Sequence, residues 1–98
     1  MTIQKEQNGK DLKLAVEGRL DTLTAPELEA ELGREMPGAE TLTLDFSRLD
    51  YISSAGLRVL LAAHKAMAGK GGMTVRNVNE IVQEVFDVTG FADILNIE

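Results

Sequence analysis

The chain has 98 residues, with ten Lys and Arg against sixteen Asp and Glu, for a net charge of −6. That length makes one domain, residues 1–98 with no linker, and the acidic balance opposes nucleic acid and anionic membranes as partners. With no cysteine, one histidine and 4% aromatic residues, disulfides, thiol catalysis, sites of paired His or Cys ligands and base-stacking platforms are excluded, and no metal or cofactor is expected.

In chain order, Met1–Gln7 lacks the apolar core of a signal peptide. No apolar run anywhere approaches the roughly 18 residues of a membrane span. A cytoplasmic location is therefore expected. Ile3–Gln7 and Asp11–Gly18 flank Asn8-Gly9, a pair suited to the two positive φ angles of a tight hairpin turn. Leu12, Leu14 and Val16 alternate with Lys13, Ala15 and Glu17, so one face of the second strand lies on a core. Thr24 and Glu27 have capping-box spacing, and Pro26 suits a first helical turn. The helix that follows carries Ala25, Leu28, Leu32 and Met36 on one stripe, and Pro37-Gly38 stops it. Leu42, Leu44 and Phe46 alternate with Thr41, Thr43 and Asp45 as a third strand.

After a short connection, Ser53 and Ser54 open a second helix running to about Ala68, ended by Gly69 and Gly71-Gly72. Met73–Arg76 is a short strand. Asn77 and Glu80 repeat the capping pattern before a third helix with Ile81, Val82, Val85 and Phe86, closed by Gly90. Phe91, Ile94, Leu95 and Ile97 suit a terminal turn or edge strand. The order strand, strand, helix, strand, helix, strand, helix predicts an α/β domain. Its mixed sheet opens with an antiparallel hairpin and continues through right-handed crossovers under packed helices.

The second helix is apolar or small nearly all round. Leu57, Leu60, Leu61, Met67 and Ala68 group on one side, while Ala55, Val59, Ala62 and Ala66 lie opposite with Arg58 and Lys65. Such a helix is either packed on both sides or offers a docking face. A serine at a helix start is first of all a cap for the free N–H groups of the first turn. The same place also tolerates a phosphoryl group, because those N–H donors and the positive end of the helix dipole stabilise its added charge of about −1.5 to −2.

Ile52-Ser53-Ser54-Ala55-Gly56-Leu57, followed by Arg58-Val59-Leu60-Leu61, resembles the signature of STAS domains, and more narrowly of stand-alone bacterial anti-sigma factor antagonists. The likeness extends to the opening hairpin, Gly18-Arg19-Leu20-Asp21, the Leu42–Asp45 strand, and Val88-Thr89-Gly90-Phe91 with Leu95. It implies a single-domain STAS-like fold and a binding protein, not an enzyme. Such a protein sequesters an anti-sigma factor that is also a serine kinase with a histidine-kinase-like ATP fold, and so releases a sigma factor. Phosphorylation of the motif serine breaks the complex, and a metal-dependent serine phosphatase restores it. By position the acceptor is Ser54, with Ser53 as second choice.

Many members of the family carry Asp where this chain has Ser53, so the acidic group usual at that place is missing, and Asp50 in the preceding loop is the nearby candidate to replace it. The implied partner surface is the start of the second helix, Ser53, Ser54, Ala55 and Gly56, with its small side, Arg58, Val59 and Ala62. Asp50, together with Asp21 and Thr22 from the loop before the first helix, would sit at its rim. An unassociated monomer is the default, and a constitutive STAS scaffold in a transport or stress-signalling complex is the alternative.

Enzymatic readings lack their parts. His64 lies ten residues after Ser54 on the same helix, roughly 15 Å away and out of a base's reach. It reads as a satisfied histidine at the core's edge. Gly69-Lys70-Gly71-Gly72 lacks the spacing and the Lys-Ser/Thr pair of a phosphate loop and precedes a strand. Asp21, Asp45 and Asp50 near strand ends do not form the adjacent acidic set of a receiver domain.

Overall fold

The computed structural model describes Met1–Glu98. Strands β1 (Thr2–Asn8) and β2 (Asp11–Leu20) form the expected antiparallel hairpin, with Ile3 opposite Val16 and Asn8 opposite Asp11. That register puts Gly9 and Lys10 in the turn, one residue later than Asn8-Gly9. Of these residues only Gly9 takes a positive φ, 61°, so a turn needing two such angles does not form.

The chain continues through α1 (Ala25–Glu35), a 3₁₀ turn (Met36–Gly38), β3 (Thr41–Asp45), β4 (Leu49–Ile52) and α2 (Ser54–Ala68). It ends with β5 (Met73–Arg76), α3 (Glu80–Thr89), a second 3₁₀ turn (Phe91–Asp93) and β6 (Asn96–Ile97). The sheet order is β1-β2-β3-β5-β6, parallel beyond the hairpin. The C-terminus supplies both a turn and an edge strand, which the sequence leaves as alternatives.

β4 occupies what the sequence presents as a connection. It pairs in parallel with Gly18–Leu20, with a register shift between Gly18 and Arg19. Gly18 has φ +97° and donates its N–H to Arg48 O at 2.9 Å. The kink lets the first half of β2 pair with β1 and β3 while its end turns to β4. Four residues with only Leu49 and Ile52 buried show no alternation, so β4 carries no periodic signal.

Leu12, Leu14 and Val16 of β2, Leu42 and Leu44 of β3, and Met73 and Val75 of β5 are buried on one face. They join Leu28 and Leu32 of α1, Leu57, Leu60 and Met67 of α2, and Val82 and Phe86 of α3 in one cluster. The alternate positions Lys13, Thr43 and Thr74 stay half-buried or exposed. All three helices thus cover one face, and the other is polar and open. No polar or charged residue is buried.

Two predicted caps differ from the structure. Thr24 has φ −100° and ψ −21° and makes no side-chain cap, so the box with Glu27 is absent. Its hydroxyl instead donates to Arg19 O at 2.7 Å and accepts from Asp21 N at 2.9 Å. Asn77 sits at φ +61° and donates its amide to Asp45 Oδ1, a backbone conformation unlike the extended one of an N-cap. Asn79, extended at φ −77° and ψ 171°, caps α3 by accepting from Val82 N at 2.8 Å, and it donates to Leu49 O at 2.8 Å. Pro37-Gly38 stops α1 as expected: the α-helix ends at Glu35 with Met36 as its C-cap, and the chain passes directly into the 3₁₀ turn, whose Met36 carbonyl accepts from Lys70 Nζ at 2.9 Å.

Candidate functional site

Ser53 takes the N-cap backbone position of α2, φ −101° and ψ 176°, and Ser54 is the first helical residue. Ser53 N donates to Leu20 O at 2.9 Å, which ties the helix start to the end of β2. Leu57 N makes the first turn's bond to Ser53 O at 3.0 Å. The N–H groups of Ser54, Ala55 and Gly56 precede that bond and form the positive end of the helix dipole.

Neither serine's side chain caps the helix. The Ser53 side chain makes no capping bond, and its Oγ is buried with no partner. Ser54 is exposed, and no side-chain hydrogen bond in the structure uses its hydroxyl. The structural task expected of these hydroxyls is therefore unfilled, and Ser54 Oγ is exposed without a protein partner.

Gly56 is where the helix start meets the strands. A Cβ there would lie 2.7 Å from Leu20 Cγ and 2.8 Å from Ile52 Cγ1, and both of those side chains are buried. Close approach, not mere tolerance, is its role.

Asp21 organises the loop between β2 and α1. Its Oδ1 accepts from Leu23 N at 3.0 Å and Thr24 N at 3.1 Å. Chiefly the Thr24 backbone bond, with that of Leu23, lowers its pKa below the usual 3.8 against a smaller opposing effect of desolvation. Arg19 lies 3.8 Å from Asp21 Oδ2 and stacks over the Tyr51 ring at 4.5 Å. Asp21 therefore has a structural duty in the loop. The same loop holds Leu23 86% exposed. Its backbone N–H donates to Asp21 Oδ1, and its sequence context, with no periodic pattern around it, carries no signal of that exposure.

A groove runs between α1 and α2. Nearest Ser54, Thr22, Ala25, Pro26, Ala55, Arg58 and Val59 line a hollow of 290 Å³. Glu29 and Val59 lead into a second of 180 Å³ with Leu32, Met36 and Ala62. Gly33 and Met36 lead into a third of 330 Å³ ending at Lys70. The structure thus brings together Thr22, Ala55, Arg58, Val59 and Ala62. Val59 is only 7% exposed and belongs to the core, whereas Ala62 and Ala66 are exposed as the docking reading needs. On the opposite side of the helix, Ala68 is exposed rather than packed.

Asp50 lies on β4, not in a loop; it is exposed and makes no ion pair or side-chain hydrogen bond to either serine. His64 is half-buried with Nδ1 unpartnered, so it is not the satisfied histidine expected. No group of three His, Cys, Asp or Glu could hold a metal ion. No helix is long and apolar enough to cross a membrane.

Residues 3–96 match a family model described as Mlab, STAS domain. A Bordetella bronchiseptica protein described as an anti-sigma factor antagonist, BtrV, is 39% identical over 84 residues, which is 84% of this chain and 72% of BtrV. The anti-sigma-B factor antagonist of Bacillus subtilis is 28% identical over 98 residues, covering 99% of this chain and 90% of that protein. Among solved structures, an anti-sigma factor antagonist from Mycobacterium paratuberculosis superposes with a TM-score of 0.88 at 24% identity, over 98% of this chain and 83% of that one. The antagonist SpoIIAA of Bacillus in its phosphorylated form gives 0.75 at 18% identity, over 99% and 91%. These two likenesses concern the fold.

Proposed function

This chain belongs to the STAS-domain family, among its anti-sigma factor antagonists, and from that premise we propose that Ser54 is the phosphoacceptor of a partner-switching protein. The antagonists are binding proteins rather than enzymes, so the chemistry is done to this chain and not by it. Unmodified, it binds an anti-sigma factor that is also a serine kinase, and a sigma factor is released in the cytoplasm. The kinase then transfers the γ-phosphoryl of ATP to Ser54 Oγ. The new P–O bond replaces the bond to the β-phosphate, ADP leaves, and the hydroxyl proton passes to a base of the kinase or to water. A serine phosphatase reverses the modification by hydrolysis.

The observation that carries this reading is the contrast between the two serines. Ser54 presents an exposed, unbonded hydroxyl beside the groove, whereas Ser53 Oγ is buried. Phosphate on the first residue of α2 would sit at the positive end of the helix dipole, so the fold accommodates it. Binding does not. A doubly charged group next to Ala55, Arg58 and the mouth of the groove alters charge and shape where a partner must fit closely. A loss of about 3 kcal/mol corresponds to roughly a hundredfold weaker binding.

The test is binding and phosphorylation with the cognate kinase and ATP. Ser54→Ala should bind like wild type and resist phosphorylation, and Ser54→Asp should bind poorly. Full phosphorylation of Ser54→Ala would move the site to Ser53. Stable binding by all three proteins with no phosphate transferred would favour the constitutive scaffold.

A further inference from the structure

The net charge of −6 is unevenly placed. Residues 1–76 contain all ten Lys and Arg against eleven Asp and Glu, whereas residues 77–98 contain five carboxylates and no cation. Nearly the whole excess lies on α3 and the segment after it.

That acidic element is also where apolar surface is left uncovered. Ile81 is 59% and Val88 77% exposed, and Val85 between them is half-buried. At 100° per residue the three fall within about 60° of one another on the helix. Val82 and Phe86 lie on the adjoining arc and are fully buried in the core. Glu84, Glu80 and Asp87 follow on the other side, and none of them is in an ion pair. Ile94, 45% exposed, follows the 3₁₀ turn that packs on α3. On α1, Glu31 pairs with Arg34 and Glu35 with Lys5 while Glu27 and Glu29 are likewise in no ion pair, but no large apolar residue of that helix is exposed.

We infer that the Ile81–Val85–Val88 face of α3 is a second docking surface, for a basic amphipathic helix of a partner protein, separate from the groove beside Ser54. α3 lines none of the three hollows of that groove. The occupant follows from the charges. A second copy of this chain meeting face to face would set the same unpaired carboxylates against one another. An anionic membrane would be repelled in the same way. A helix with apolar residues flanked by Lys or Arg covers Ile81 and Val88 and pairs with Glu80, Glu84 and Asp87.

The test uses amide NMR spectra of the full chain titrated with a synthetic Leu/Lys helix peptide of about 14 residues, and with its Leu/Glu analogue. The Leu/Lys peptide should shift residues 80–94 in a saturable way, roughly tenfold more weakly when salt is raised from about 0.05 to about 0.5 M. The Leu/Glu peptide should shift nothing. The double variant Ile81→Ser/Val88→Ser, at positions exposed enough to keep its melting temperature, should lose at least about fivefold in affinity. Equal shifts on α1 and α3 would mean charge alone and overturn the inference. So would undiminished binding by the double variant, self-association of the wild type through residues 80–94, or binding to phosphatidylserine vesicles through the same residues. Each outcome leaves the role of Ser54 untouched.

Discussion

Ser53 and Ser54 are neighbours in sequence with opposite surroundings. The backbone of Ser53 is extended as an N-cap should be, yet its hydroxyl is buried and unbonded, while Ser54 faces solvent. An N-cap serine replaced by alanine ordinarily costs about 1 kcal/mol. Here no capping bond is lost and an unsatisfied buried group is removed, a change that favours the folded state. Ser53→Ala should therefore leave stability within about 0.5 kcal/mol of wild type or raise it. Urea unfolding measures this, and a full capping loss would show that the hydroxyl does bond the first turn in solution.

At the scale of the element, α2 is positioned by what its first turn lacks. Gly56 has no Cβ, and Leu20 and Ile52 fill that space from the ends of β2 and β4. Both side chains are buried, so neither can swing away cheaply. Overpacking a filled core costs about 1–3 kcal/mol and alanine's better helix propensity returns at most about 1 kcal/mol, so Gly56→Ala should destabilise by up to about 2 kcal/mol. Because the strain falls beside Ser54, kinase binding should weaken as well. Thermal melting with a binding titration checks both, and a variant as stable as wild type would show that the strands yield.

For the whole molecule, two carboxylates make stability depend on acid, Asp45 by joining segments distant in sequence and Asp21 by fixing the loop between β2 and α1. Asp45, at the end of β3, accepts from the Asn77 amide and from Ser47 N, both at 3.0 Å, and chiefly the Asn77 bond lowers its pKa below 3.8. Asp21 is lowered by its loop bonds, first that from Thr24. A carboxyl whose folded pKa is depressed binds fewer protons folded than unfolded. Its stabilisation is complete above the unfolded value and disappears as pH falls through the folded one. Melting temperature should hold down to about pH 5 and then fall. Asp45→Asn and Asp21→Asn should each start lower at neutral pH and fall less steeply below pH 5. Equal slopes in variants and wild type would remove both groups from the acid transition.

Periodicity, turn residues and one motif were enough, without coordinates, for the hairpin, three helices, the strands β3 and β5, the family and the serine pair. These are local or motif-borne properties, set by alternation, by helical stripes and by six consecutive residues from Ile52 to Leu57. What only the folded chain decided depends on contacts between segments far apart in sequence. β4 exists because Gly18 bends β2 toward it, and Asn79 rather than Asn77 caps α3 because Asn77 is turned left-handed against Asp45. Which serine is free, that Leu23 is exposed, and that α3 carries uncovered apolar surface beside unpaired charge are all matters of burial. Burial is settled by the neighbours a residue acquires on folding, not by those beside it in the chain.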